Sequence, residues 1–174
     1  MIIWITGISG AGKTTIAKAL IKKLKPKISN LVNVDGDEIR ELFEEDLGYS
    51  EKDRIIQINR IQRLCLLLEK QDQVVIASAL YSNEKLLNWN KNNFKNYYEI
   101  YVEASIDLVS KGDIKGLYKK ALSGEEKNVV GIDIPWNVPK NYHLIIKRDT
   151  EISVKETINR IIDTIPILKN KYRL

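Results

Sequence analysis

A glycine-rich stretch near the start of the chain constrains its fold more than any other feature. The run Gly7-Ile8-Ser9-Gly10-Ala11-Gly12-Lys13-Thr14 fits the pattern G-x-x-x-x-G-K-[ST] of a phosphate-binding loop. The apolar run 2–6 before it predicts a buried strand, and the helical spacing of apolar residues over 14–24 predicts a helix after it. Such a loop needs this position, because its backbone N–H groups and the helix N-terminus then surround phosphate oxygens. The sequence therefore predicts nucleotide binding.

Each polar residue of this loop has an expected role. Lys13 would reach the β- and γ-phosphates of ATP, and the Thr14 hydroxyl would be a ligand of Mg²⁺. ATP is thus the expected phosphoryl donor and Mg²⁺ the expected cofactor. The predicted ATP-binding residues are Gly7, Ser9, Gly10, Ala11, Gly12, Lys13, Thr14 and Thr15.

Length and composition narrow the class of protein. With 174 residues the chain is expected to form one domain, 1–174, with a full core. No apolar run is long enough to span a membrane, no secretory region precedes the first strand, and Cys65 has no second cysteine to pair with. Cytoplasmic location, no membrane partner and a buried structural thiol at Cys65 are the expectations. The net charge of +5 is dispersed, which argues against nucleic-acid binding.

Strand and helix patterns alternate along the chain. Strands are predicted at 2–6, 31–34, 73–77, 98–102 and 142–146, and helices at 14–24, 38–43, 51–70, 83–94, 105–111 and 154–165. Pro166 is expected to end the last helix and leave a basic tail. This order predicts an α/β fold of the P-loop kinase type, with a five-stranded parallel sheet and helices on both faces. Segment 112–139, called the lid below, shows no clear period, and a loop of that length is usually a lid or a binding element.

Two carboxylates follow the second predicted strand. Asp35 and Asp37 flank Gly36 at the edge of the sheet where the phosphate loop also lies. One could hold Mg²⁺ through water and the other could accept a proton from an acceptor hydroxyl, which makes Asp35, Asp37 and Lys13 the candidate catalytic residues. The sequence leaves open which aspartate is the base. An acidic turn that only caps the next helix is the simpler explanation, and the neighbouring phosphate loop favours the catalytic one.

The sequence indicates less clearly which basic residues bind the acceptor. Arg40 lies three residues after Asp37, and Arg54 begins the long helix; each could bind an anionic acceptor, although most single arginines form surface ion pairs. Lys115, Lys119 and Lys120 in the lid could close over phosphates or form a solvated helix face. His143 has no metal-ligand neighbours in the sequence, so no role is predicted for it.

These residues together resemble the adenylylsulfate (APS) kinase family along nearly the whole chain. The matching segments are 3–15, Asp35-Gly36-Asp37 with Arg40, 46–50 with Asp53-Arg54, 98–102, 115–121, and Gly131-Ile132-Asp133 with Pro135. The resemblance implies transfer of the γ-phosphoryl group of ATP to the 3′-hydroxyl of a nucleotide's ribose, with Mg²⁺. It also implies Asp37 as base, Arg40 and Arg54 as ligands of the acceptor phosphate, and a homodimer.

Departures from the family pattern cluster on the acceptor side. Val129 and Val130 stand where APS kinases usually have Phe-Thr, and that Phe forms one wall of an aromatic sandwich around the acceptor adenine, of which Tyr49 would be the other. Gln57 replaces an Asn, Gly112 replaces an Arg, and residues 79–83 differ from the usual Ile-Ser-Pro-Tyr-Arg. Loss of a stacking wall costs about a kcal/mol or more per base. The predicted acceptor-binding residues are Asp37, Arg40, Tyr49, Arg54, Gln57, Leu80, Lys115 and Val129.

The altered acceptor side favours a base other than adenine. The chain most resembles a branch of the family that phosphorylates the 3′-hydroxyl of cytidine diphosphoramidate in capsular phosphoramidate biosynthesis, and a pyrimidine's smaller face suits a Val in place of Phe. The alternatives are an ordinary APS kinase of sulfate assimilation, a regulator that binds nucleotides without catalysis, and a small-molecule or polynucleotide kinase.

Overall fold

The strands of this protein form one parallel sheet, as its alternating pattern predicts. The structure is a computed structural model that describes residues 1–113, 116–150 and 153–172. The strands are β1 (Ile2–Thr6), β2 (Leu31–Asp35), β3 (Val74–Ala79), β4 (Tyr97–Glu103) and β5 (Leu144–Lys147), in the spatial order β2-β3-β1-β4-β5. All neighbouring pairs are parallel. The central strand β1 is apolar and fully buried, because it is covered on both faces.

Eight helices connect and cover these strands within the described residues. They are α1 (Lys13–Leu24), α2 (Gly36–Leu42), α3 (Glu51–Lys70), α4 (Glu84–Asn93), α5 (Ile106–Lys111), α6 (Leu117–Leu122), α7 (Val154–Thr164) and α8 (Pro166–Tyr172). Helices α1 and α7 pack together, as do α3 and α4. The α/β class and the parallel five-stranded sheet are therefore confirmed.

Side-chain caps define several helix starts that the sequence predicts. The Ser50 hydroxyl accepts a hydrogen bond from the Asp53 N–H at the start of α3, and the Ser153 hydroxyl accepts one from the Glu156 N–H at the start of α7. Each satisfies a backbone donor that has no partner within its helix. Both helices, predicted at 51–70 and 154–165, thus begin at a serine cap.

Three predictions about local structure are wrong. The predicted helix 154–165 does end before Pro166, but no basic tail follows it: Pro166 begins α8, where its missing N–H costs nothing and its fixed φ suits a first turn. The lid is not irregular throughout, since it contains α6. His143 precedes β5 instead of lying within it, although its ring Nδ1 accepts a hydrogen bond from the Glu99 N–H at 3.0 Å.

No helix in the described residues is long and apolar enough to cross a membrane. Cys65 is buried in the core, where burial raises the pKa of its thiol to about 12. A thiol of that pKa stays protonated near neutral pH, which agrees with the predicted structural role.

Candidate active site

The phosphate loop occupies residues 7–14 between β1 and α1, where the sequence places it. Gly7 has no room for a side chain, because a Cβ there would lie 2.4 Å from the carbonyl oxygen of Val102. Gly12 caps α1 with a φ of +93°, a conformation that side chains strain. The predicted ATP-binding residues all lie on this turn and the first residues of α1.

Lys13 lies inside this turn beside the two aspartates. Its ammonium Nζ donates to the Ile8 carbonyl oxygen at 2.8 Å. Burial lowers the pKa of Lys13 to about 8, and the charges of Asp37 and Asp35 oppose that shift. A bound polyphosphate would stabilise the charged form of Lys13, because its negative charge would compensate for the hydration that burial removes.

Asp35 and Asp37 differ in burial and in hydrogen bonding. Asp35 is buried; its Oδ2 accepts from the Thr14 hydroxyl at 2.8 Å, and its Oδ1 accepts from the Asp37 N–H at 3.0 Å. The Asp37 carboxylate is exposed and accepts no hydrogen bond from the described part of the chain. The structure therefore separates two carboxylates that the sequence could not distinguish.

The Thr14–Asp35 pair suits a hard divalent cation. A hydroxyl oxygen and a carboxylate oxygen are the ligand types that Mg²⁺ takes, and this ion commonly binds through one or two carboxylates plus substrate phosphates. Among the described residues no group of three or more His, Cys, Asp or Glu side chains forms a protein-only metal cage. The donor set therefore fits a Mg²⁺ ion that arrives with a nucleotide.

A cleft of about 410 Å³ opens beside these carboxylates. Seven of the eight predicted acceptor-binding residues line it, namely Asp37, Arg40, Tyr49, Arg54, Gln57, Leu80 and Val129. The eighth, Lys115, lies outside the described residues. Ser9 of the phosphate loop lines the same cleft, so donor and acceptor sides are continuous.

Two buried arginines surround Tyr49 in this cleft. The Arg40 guanidinium lies 4.7 Å from the centre of the Tyr49 ring and donates to the carbonyl oxygens of Leu47 and Gly48 at 3.1 and 3.2 Å. Arg54 lies 5.5 Å from the same ring and donates to the carbonyl oxygens of Tyr49 and Asn128 at 2.9 and 2.6 Å. Burial, then the charge of Arg40, lowers the pKa of Arg54. Two neighbouring buried cations favour an anion in this cleft.

Family comparison decides the class of protein. The model of the adenylylsulphate kinase family matches residues 1–147, most of the chain. The chain belongs to the adenylylsulphate kinase family. It is therefore a P-loop kinase, and its family members are ATP-dependent kinases that phosphorylate a nucleotide hydroxyl.

Named relatives of this family member fall into two groups. It is 38% identical to the cytidine diphosphoramidate kinase of Campylobacter jejuni subsp. jejuni serotype O:2, over 92% of this chain and 94% of that protein. It is 36% identical to the adenylyl-sulfate kinase of Gloeothece citriformis, over 92% and 90%. The solved APS kinase of Mycobacterium tuberculosis, in complex with AMPPNP and APS, matches with a TM-score of 0.86 and 29% identity, over 95% of this chain and 96% of that one.

Two of the acceptor-side departures from the family pattern, Val129 and Gln57, are buried in this kinase. Val129 is 3% exposed, and its backbone N–H donates to Asp133 Oδ1 at 2.6 Å. Gln57 donates through Nε2 to the Gly36 carbonyl oxygen at 3.0 Å and accepts from Arg60 at 3.3 Å. Gln57 thus positions the turn between the two aspartates.

Sequence reasoning missed two tyrosines of the site. Tyr118 in α6 is buried, and its hydroxyl donates to the Ser9 carbonyl oxygen at 2.9 Å, which ties the lid to the phosphate loop. Tyr81 lines the cleft and donates to Glu51 Oε1 at 2.5 Å. Each lies in a segment that the sequence analysis singled out, Tyr118 in 115–121 and Tyr81 in 79–83, but no role was predicted for either. Of the lid lysines singled out in the sequence, Lys120 lines the cleft and Lys119 is exposed.

Asp113 organises the start of the lid helix. Its carboxylate accepts from the backbone N–H groups of Leu117, Tyr118 and Lys119 at 2.6 to 3.2 Å. These bonds satisfy donors that a helix start leaves free. Asp113 therefore fixes the helix that carries Tyr118 to the phosphate loop and Lys120 to the cleft.

Proposed function

We propose that this kinase transfers the γ-phosphoryl group of ATP to the ribose 3′-hydroxyl of a nucleotide, and that cytidine diphosphoramidate is its preferred acceptor. The observation that carries the proposal is the cleft between phosphate loop and lid, which has an exposed carboxylate at one part and two buried arginines at another. This arrangement suits an acceptor with one reactive hydroxyl and a strongly anionic group.

Asp37 is the proposed general base. Its carboxylate lines the cleft and accepts no hydrogen bond from the described residues, and it lies near enough to Lys13 to affect the pKa of that ammonium. A base must reach the acceptor hydroxyl while that hydroxyl attacks the γ-phosphorus. Asp35 is the proposed metal residue, because Thr14 and the Asp37 backbone already hold its oxygens.

Lys13 and the backbone of the phosphate loop would hold the donor. The ammonium would leave the Ile8 carbonyl for the β- and γ-phosphate oxygens, where it neutralises charge on the transferred group. Mg²⁺, held by Thr14 and Asp35, would supply further charge neutralisation when bound. Catalysis then rests on position and charge, as phosphoryl transfer requires.

Arg40 and Arg54 would bind the diphosphoramidate, and Tyr49 would stack on the base. Val129 leaves the wall beside Tyr49 without an aromatic ring, which reduces the stacking available to adenine more than to a smaller pyrimidine. The 38% identity to the cytidine diphosphoramidate kinase of C. jejuni supports the same acceptor.

APS is the second candidate acceptor, because the identity to adenylyl-sulfate kinases and probable adenylyl-sulfate kinases reaches the same 38%. Measurement of kcat/KM with ATP and each acceptor in turn separates the two. Higher kcat/KM with the cytidine compound supports the proposal, and higher kcat/KM with APS replaces it. No turnover with either nucleotide would instead favour a regulator that binds ATP without catalysis. We also propose that the chain forms a homodimer, as the family resemblance implies.

A further inference from the structure

A buried serine hydroxyl beside the proposed metal site makes no hydrogen bond within the described part of the chain. Among the described residues the buried side-chain atoms without a hydrogen bond are Trp4 Nε1, Thr6 Oγ1, Asn33 Oδ1, Ser78 Oγ, Glu99 Oε1 and Ser110 Oγ. Ser78 is 3% exposed and sits in the penultimate position of β3. Buried hydroxyls are normally hydrogen-bonded, so an exception next to a functional site calls for an explanation.

Strand pairing places this hydroxyl next to Asp35. Asp35 of β2 is the parallel partner of Ser78 in β3. Paired residues of neighbouring strands point to the same face of a sheet, with Cβ atoms about 5 Å apart. Ser78 therefore projects from the sheet beside the carboxylate that accepts from Thr14.

The hydrogen bond to Thr14 identifies which face this is. Thr14 belongs to α1, and its hydroxyl donates to Asp35 Oδ2 at 2.8 Å, so the Asp35 side chain lies on the α1 side of the sheet. Ser78, the strand partner of Asp35, therefore lies on that side as well.

Asp35 does not need Ser78 as a donor. Both Asp35 oxygens already accept hydrogen bonds, one from Thr14 and one from the Asp37 backbone. A hydroxyl that lies beside this carboxylate without bonding to it is available to a further group. Mg²⁺ usually keeps several waters when it binds with a nucleotide, and those waters need hydrogen-bond partners.

We propose that Ser78 is a positioning residue whose hydroxyl holds a water molecule of the Mg²⁺ shell. It acts through that water and touches neither nucleotide nor acceptor. The inference rests on the donor half of the proposed function alone, so it is independent of the acceptor's identity. A hydrogen-bond partner of this kind typically changes metal affinity by about 10-fold or more.

Titration of the metal tests the proposal without catalysis. AMPPNP binding is measured by calorimetry at increasing Mg²⁺ concentrations, and Mn²⁺ binding in the presence of AMPPNP is followed by electron paramagnetic resonance. Ser78→Ala is expected to raise the half-saturating concentration of each metal about 10-fold and to leave AMPPNP affinity in EDTA unchanged. Ser78→Cys, which keeps the size of the side chain, is expected to behave in the same way.

Thr157→Val is the matched control, since Thr157 is fully buried in α7 outside the cleft. It should leave both metal titrations unchanged. Unaltered metal dependence in Ser78→Ala and Ser78→Cys would overturn the proposal, as would equal loss of AMPPNP affinity with and without metal. Failure of the enzyme to use cytidine diphosphoramidate would leave these titrations unaffected.

Discussion

Replacement of each aspartate by asparagine should give two different defects. In Asp37→Asn the side chain loses its ability to accept a proton, but it is exposed and its carboxylate bonds to no described residue. We expect kcat to fall about 100-fold or more, because general bases contribute about 10² to 10⁴ in rate. The free energy of unfolding should change by less than about 0.5 kcal/mol.

Asp35→Asn should destabilise the protein instead. Asp35 is 5% exposed and receives donors from Thr14 and from the Asp37 backbone, one at each oxygen. An amide keeps one acceptor oxygen and turns an NH₂ group toward the other donor. The free energy of unfolding should fall by about 1–3 kcal/mol, which lowers Tm by about 2–4 °C per kcal/mol in a chain of this size.

Steady-state kinetics, ATP binding by calorimetry and thermal unfolding measure these effects on the same preparations. If Asp37 is the general base, Asp37→Asn should lower kcat while its Kd for ATP changes less than about threefold. The assigned roles are refuted if Asp37→Asn keeps a tenth of wild-type kcat, or if Asp35→Asn is as stable as wild type. Equal losses in kcat and ATP affinity for Asp37→Asn would make Asp37 a binding residue.

Three further changes test other parts of the site. Lys13→Ala should abolish turnover with the fold intact, as checked by circular dichroism; most of the turnover remaining would contradict the donor site. With a pKa of about 8, the charged fraction of Lys13 falls from about nine-tenths at pH 7 to about one-tenth at pH 9. ATP affinity should therefore weaken between pH 7 and pH 9. The affinity of Lys13→Arg should not change over that range, because arginine stays charged. Val129→Phe should raise kcat/KM for APS relative to the cytidine compound about 10-fold or more, whereas Val138→Phe, at an exposed position of the lid, should not. Tyr118→Phe should lower the free energy of unfolding by about 0.5–1.5 kcal/mol through loss of the bond to Ser9; unchanged thermal unfolding would show that this bond does not stabilise the lid.

The sheet and the phosphate loop could be predicted because their signals are local. The apolar run 2–6, the glycines at 7, 10 and 12 and the Ser50–Asp53 cap each act over a few residues. The long apolar period over 51–70 likewise predicts α3 within its observed bounds. Interactions between residues that are close in the sequence were sufficient to predict these elements.

Features that depend on distant contacts were harder to predict. Helix α6 has six residues, too few for a clear period, and begins after Gly116 at a φ of +68°. Its position depends on the Asp113 carboxylate and on Tyr118 reaching the phosphate loop 109 residues earlier in the chain. Pro166 did not predict α8, because proline can either break a helix or begin one. Burial of Leu168 beyond it, which the sequence does not show, favours the second outcome.

Only part of the candidate site could be predicted, because the rest depends on contacts between residues distant in the sequence. Sequence spacing brought Asp35 and Asp37 together, but only the structure shows that one is buried and bonded while the other faces the cleft. Ser78 has no motif at all, and its place beside Asp35 follows from strand register alone.

The most direct test of the proposed function is to measure which acceptor the kinase prefers. One ATP-consumption assay with cytidine diphosphoramidate and APS in parallel, each varied to saturation, gives kcat/KM for both. We expect a higher kcat/KM for the cytidine compound, because Val129 and Tyr49 line a cleft that suits a pyrimidine. A higher kcat/KM for APS would contradict this expectation and make this kinase an enzyme of sulfate activation.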